Sequence, residues 1–213
     1  MDLIGLVAGA GWASGVNLYA AVALLGLYGR MGIGDSPESL QRLDVIIIAS
    51  ILFLVEFIAD KVPWFDSFWD AVHTFIRPIG AAVLGLLISG DAETWQQAVA
   101  AVGSGSIATL SHAAKTSIRL AINTSPEPAS NSGMSLFEDG LVAAVIWFAV
   151  ANPLLALILV TVLLIAGTTA MVFTFRVARR AWRKRRERRQ LRKAPPPGGD
   201  PLGSQNTPGT GSG

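Results

Sequence analysis

The feature that most constrains this chain is a series of long apolar runs, the last of which stops dead at a block of positive charge. Residues 153–175 carry no ionisable side chain, and between Arg176 and Lys193 stand 11 of the 17 Lys and Arg residues, with Glu187 the only acid among them. A run of that length, about 20 residues or more, spans a bilayer as a helix. Hydrocarbon offers the backbone no hydrogen bonds, so a single segment within it must satisfy its own, and helices do so. A dense Lys/Arg block directly after an apolar run marks the cytoplasmic side. The expected class is therefore an all-α polytopic membrane protein with its C-terminus in the cytoplasm.

Everything before Arg176 holds six basic residues against 13 acidic ones, so the overall charge of +2 averages an acidic body with a basic tail. The expected domains are a membrane body over residues 1–175, a basic juxtamembrane segment over 176–193 and a disordered Pro/Gly/Ser/Thr tail over 194–213. The basic segment reads as a contact for membrane lipids with anionic headgroups and as a topology anchor. It has little aromatic content beyond Trp182, and nucleic acid is not expected as a partner.

Six apolar segments can be traced: residues 3–28, 45–59, 67–88, 95–122, 135–151 and 153–175. The fifth starts at a capping-box pattern, Ser135-x-x-Glu138, and Asn152-Pro153 reads as N-cap and first residue of the sixth. An even number of crossings puts the N-terminus in the cytoplasm too, although Arg30 and Arg42 then lie outside. Gly9-Ala10-Gly11-Trp12-Ala13-Ser14 lies over Gly103-Ser104-Gly105-Ser106-Ile107-Ala108 at an offset of 94. This suggests two inverted three-helix repeats, 1–90 and 91–175, each opening with a Gly-broken helix, as in many transporters. Gly5, Gly9, Gly11 and Gly15 offer a close-packing face, for a second copy of the chain among other partners. Gly26, nearer the outer end, is expected to tolerate a side chain better than Gly11 or Gly15.

Ionisable residues near hydrocarbon are costly and normally face one another or a water-filled cavity. Asp66, Asp70, His73 and Arg77 recur at i, i+4, i+7 and i+11, one stripe of a helix. His112, Lys115 and Arg119 form a second stripe, and Glu56 and Asp60 end the second segment. The simplest arrangement faces the acidic stripe with the basic one across a cytoplasm-facing vestibule, Asp70 with Lys115 among the pairs. The plainer alternative is an interfacial segment with Lys61 and Arg77 snorkelling and Trp64 and Trp69 anchored at headgroup level.

Several chemistries are excluded. The chain has no cysteine, only two histidines, and none of the motifs GxxxxGK[ST], HExxH or GxSxG,. No cofactor is expected. A carboxylate site for a divalent cation from Glu56, Asp60, Asp66 and Asp70 is only weakly specified, and the metal stays unassigned.

Glu56-Phe57-x-Ala59-Asp60-Lys61-x-Pro63-x-x-Asp66-x-x-Trp69-Asp70-x-x-His73-Thr74-x-Ile76-Arg77-Pro78 resembles the signature of a bacterial integral membrane family labelled domain of unknown function 4126. Gly11-x-x-x-Gly15-x-Asn17-x-Tyr19 and His112-x-x-Lys115-x-x-x-Arg119-x-x-x-Asn123-x-Ser125-Pro126-Glu127-Pro128-x-Ser130-Asn131 resemble its other characteristic segments. The resemblance spans roughly residues 5–175. It implies a protein of the bacterial inner membrane and supports these segments, Glu127 included, as the functional ones, but it supplies no activity.

The leading expectation is transport of a small or anionic solute, a lipid headgroup or an ion. Asn17 and the Gly/Ser breaks would line the site, Lys115 and Arg119 would hold negative charge, and Glu56 or Asp60 would relay protons. An intramembrane enzyme acting on a lipid phosphate and a non-catalytic assembly partner are the alternatives.

Overall fold

The computed structural model describes residues 2–61, 65–122 and 128–193, the side chains of 66, 67, 128–131 and 187–193 excepted. Among these residues the regular structure is helical throughout: α1 (Asp2–Arg30), α2 (Leu43–Ala59), α3 (Phe65–Ser89), α4 (Thr94–Ile122), α5 (Pro128–Ala151) and α6 (Pro153–Lys193). The chain divides into two units, Met1–Phe175 and Arg176–Gly213. The helical bundle and its buried polar residues belong to the first. Glu127, the side chain of Asp66 and the tail from residue 194 lie outside the described residues.

Among the described residues, four stretches are long and apolar enough to cross a membrane: Asp2–Arg30, Phe68–Ser89, Ser132–Ala151 and Pro153–Arg186. The other two helices fall short for opposite reasons. α2 is strongly apolar but has only 17 residues, whereas α4 has 29 residues but carries Gln, Ser, His, Lys and Arg. Apolar side chains point outward in helical register, Ile47, Ile51, Leu54 and Ile58 on α2 and Leu154, Ile158, Val162 and Ile165 on α6. An outward stripe of this kind is what hydrocarbon covers and water does not. The polar residues are turned inward.

α1 is the axis of the bundle and packs against α2, α3, α4 and α5. Its glycines make that possible, because a missing side chain lets helix backbones approach. A Cβ on Gly9 would lie 2.6 Å from Ala149 Cβ on α5, and one on Gly11 would lie 2.9 Å from the Ser104 carbonyl on α4. Gly15 packs on Ser111 and the Ala108 backbone, and Gly5 on the Pro153 carbonyl. The glycine face expected for a second copy is thus buried within the chain. Gly26, expected to be roomier, is wedged against the Leu40 carbonyl and Ile46.

α1 is nevertheless broken, though not at the glycines. Asn17 has φ −152° and ψ 98°, and its side-chain oxygen accepts the backbone N–H of Ala20 at 3.0 Å. Asn17 therefore caps a second half-helix, as an asparagine readily does. The matching break expected at Gly103–Ser106 is absent, since α4 runs through it as continuous helix. A Cβ on Gly103 would meet nothing within 4 Å.

α5 begins at Pro128, seven residues before the capping-box pattern that predicts its start. Ser135 and Glu138 consequently lie inside the helix, and both are buried. The boundary between α5 and α6 falls at Asn152-Pro153, where the Leu155 N–H reaches Asn152 Oδ1 at 3.3 Å.

Candidate functional site

A break in a buried helix leaves carbonyl oxygens without their intrahelical partners. In α1 two cations take them: Arg77 Nη1 donates to Gly15 O at 3.1 Å and Lys115 Nζ to Val16 O at 2.9 Å. One turn earlier Ser111 Oγ donates to Trp12 O at 3.0 Å. The C-terminal end of the first half-helix, the negative end of its dipole, thus points at the positive side chains of α3 and α4.

Each cation is also held by carboxylates. Arg77 Nη2 lies 2.6 Å from Glu56 Oε1 and 3.5 Å from Asp70 Oδ1. Lys115 Nζ is 3.0 Å from Asp60 Oδ2, 3.6 Å from Glu138 Oε2 and 3.9 Å from Glu56 Oε1. Arg119 Nη2 bridges Asp60 Oδ2 at 2.8 Å and Glu138 Oε2 at 2.7 Å. All seven side chains are buried, Glu56 and Arg77 completely. Removing a single charge from water costs several kcal/mol even after relaxation, so such groups persist only when interlocked. α2, α3, α4 and α5 each contribute, and the broken α1 closes the network.

The two histidines are bound into it. Arg77 Nη1 approaches His112 Nδ1 at 2.7 Å, and a guanidinium only donates, so that nitrogen carries a lone pair,. His112 is therefore neutral, with its proton on Nε2, which faces Thr74 Oγ1 at 3.2 Å. Thr74 in turn donates to Asp70 O at 3.0 Å. His73 Nδ1 faces the Trp69 carbonyl at 2.9 Å and must be the donor there, while Nε2 meets Tyr19 Oη at 3.1 Å.

At the edge, Asn17 Nδ2 donates to Asp139 Oδ1 at 3.1 Å. Lys61, half-buried, donates to Phe57 O at 3.0 Å and Ser135 Oγ at 3.4 Å. Several buried carboxylate oxygens have no hydrogen-bond partner among the described residues, Glu56 Oε2, Glu138 Oε1 and Asp139 Oδ2 among them. Buried polar atoms are normally paired, so such oxygens mark places where a proton or a ligand donor fits.

Of the residues singled out in the sequence, Glu56, Asp60, Asp70, His73, Arg77, His112, Lys115 and Arg119 come together, with Asn17 beside them and Lys61 at the rim. Asp70 meets Arg77 rather than Lys115. The expected open vestibule is instead a closed ionic network. Adjoining it is a cavity of about 360 Å³ between α1, α4, α5 and α6, apolar except where Ser111, Lys115 and Glu138 reach its wall. No group of three His, Asp or Glu side chains among the described residues is placed to hold a metal ion. Glu56, Asp60 and Asp70 are turned onto Arg and Lys instead.

Sequence reasoning missed Glu138 and Asp139 as parts of the site, and held Tyr19 and Thr74 only as members of the resembling segments. The capping pattern gives Glu138 a purely local role and so conceals it. The signal that would have found it is an adjacent pair of acids, Glu138-Asp139, inside an apolar segment,.

These features define an all-helical protein of membrane type built around a buried network of charges. The chain belongs to the family described as domain of unknown function (DUF4126), whose model matches residues 4–172. No curated protein and no solved structure matches the chain.

Proposed function

We propose that this protein is a proton-coupled membrane transporter whose coupling site is the network around Arg77, Lys115 and Arg119. The observation that carries this reading is the break at Asn17, where Gly15 O and Val16 O are given over to Arg77 and Lys115. Discontinuous helices whose freed backbone groups meet ionised partners are the recurrent construction of transporter sites. Ionisable residues kept within a membrane body are by default functional. Among the described residues, buried carboxylates outnumber buried Lys and Arg four to three, Glu56, Asp60, Asp70 and Glu138 against Arg77, Lys115 and Arg119, and His112 is neutral. A proton on one carboxyl restores the balance, which suits Glu56 or Glu138 as the proton carrier.

In this reading α2 and α4 cross the membrane beside the four stretches that are long and apolar enough on their own. Six crossings place both termini in the cytoplasm of a bacterial inner membrane, with residues 176–193 against anionic headgroups. The repeat is not needed, because the site rests on one broken helix. The enzyme reading draws less support: both terminal nitrogens of Arg77 are engaged, by Glu56, Asp70, His112 and Gly15, and Arg119 is held by Asp60 and Glu138.

The test is flux in proteoliposomes loaded with a pH-sensitive dye, challenged with a panel of small cations, amines, carboxylates and phosphate. At least one solute should move protons with it, and Glu56→Gln, checked for unchanged elution in size-exclusion chromatography, should abolish the coupling. Solute movement indifferent to a pH gradient, or no movement across the panel, would overturn the reading.

A further inference from the structure

We propose that the cavity between α1, α4, α5 and α6 is a binding site for a hydrophobic amine, its apolar body filling the cavity and its ammonium held by Glu138. This names the substrate class and rests on the transporter reading only for what happens after binding.

The first observation is the shape of the chemistry. The cavity, about 360 Å³, is walled by side chains such as Trp12, Phe137, Leu141 and Leu163, and its charged residues are Lys115 and Glu138. Specific small-molecule sites are commonly of this kind, apolar with a few placed polar groups, starting at roughly 300 Å³. A fully polar ligand would lose its hydration against those walls without replacement. The ligand must be amphiphilic.

The second observation decides its sign. Lys115 is already surrounded by acceptors, Val16 O, Asp60, Glu138 and Glu56, all within 3.9 Å. Glu138 gives one oxygen to Arg119 at 2.7 Å and keeps the other buried without a partner. An anion entering here would add to an existing excess of carboxylate, whereas a protonated amine donates to the open oxygen and supplies the missing positive charge. Trp12 and Phe137 in the wall add aromatic surface that suits an apolar body,.

The test uses the full-length protein in phosphatidylcholine nanodiscs and three probes with one skeleton: 4-phenylbutylamine, 4-phenylbutanol and 4-phenylbutanoate. Saturation binding is measured against empty nanodiscs at neutral pH, where the amine is charged as a lysine side chain is. The amine should bind saturably and at least tenfold more tightly than the alcohol, and the acid should not bind. Glu138→Gln should weaken the amine at least tenfold. Glu138 also holds Arg119, so a second variant leaves the network alone: Ala166→Phe, on the exposed flank of the cavity, should lower affinity to a similar degree by filling the space. Absence of saturable amine binding, equal or tighter binding of the acid, or affinity unchanged in both variants would each overturn the proposal. Saturable binding without proton-coupled flux of any solute would instead overturn transport and leave the site standing. Proton-coupled flux of another solute without amine binding would do the reverse.

Discussion

Glu56 and Arg77 meet at 2.6 Å, with neither side chain exposed to solvent, one from the end of α2 and the other from the middle of α3. Breaking a buried pair from one side strands the remaining charge, which costs about 3–5 kcal/mol, whereas removing both ends costs far less. Arg77→Met should therefore lower thermal stability in nanodiscs steeply, and adding Glu56→Leu should recover part of the loss. Additive losses in that double-mutant cycle would mean that the contact does not couple the two helices.

Asn17 performs two tasks, capping Ala20 and holding Asp139. Asn17→Ser keeps a capping oxygen, and Asn17→Leu does not. Loss of the cap costs about 1 kcal/mol. The leucine variant should remain folded by size-exclusion chromatography but lose coupled flux, while serine should retain much of it. Equal activity in the two would show that the cap is irrelevant to the break.

Gly15 and Gly103 should respond in opposite ways to the same added methyl. At Gly15 the Cβ would collide with Ser111 Oγ and the backbone of Ala108, so Gly15→Ala must push α1 away from α4. Gly103 is in continuous helix with open space around it, and Gly103→Ala should stabilise by about 0.5–1 kcal/mol through helix propensity. Melting temperatures decide the matter. A neutral Gly15→Ala would contradict the packing of α1 on α4.

Because the chain has no cysteine, single introduced thiols report sidedness without background. Cysteine at the exposed positions Glu38 and Asp91 should react with a membrane-impermeant maleimide on intact cells, and cysteine at Lys184 only after permeabilisation. Labelling of Lys184→Cys from outside would invert the orientation.

The apolar runs made most helices legible, and their polar stripes made most of the site legible, because burial of charge in such segments is rarely accidental. What could not be read was the position of the break. The glycines advertised it at residues 9–15 and 103–106, yet glycine in a packed helix serves close approach as readily as it serves a kink. The break fell at Asn17, where a side chain can replace the lost hydrogen bond and where two cations from distant segments take up the carbonyls. That choice is made by Arg77 and Lys115, 60 and 98 residues further along the sequence. Glu138 was hidden for a related reason: Ser135-x-x-Glu138 is a sound local start for a helix, and only the presence of Arg119 opposite explains why the carboxylate lies within one.

The division of α1 at Asn17 gives its first half a role that an unbroken helix would lack. Residues 2–16 end on carbonyls gripped by α3 and α4, whereas residues 18–30 begin from a cap tied to α5 through Asp139. Any tilt of the first segment must stretch or release Gly15–Arg77 and Val16–Lys115, and any change in the charge those cations feel must pull on the first segment. In the proposed transporter, protonation and the orientation of the first segment would be a single variable, with Asn17 as the fulcrum between the two halves of α1.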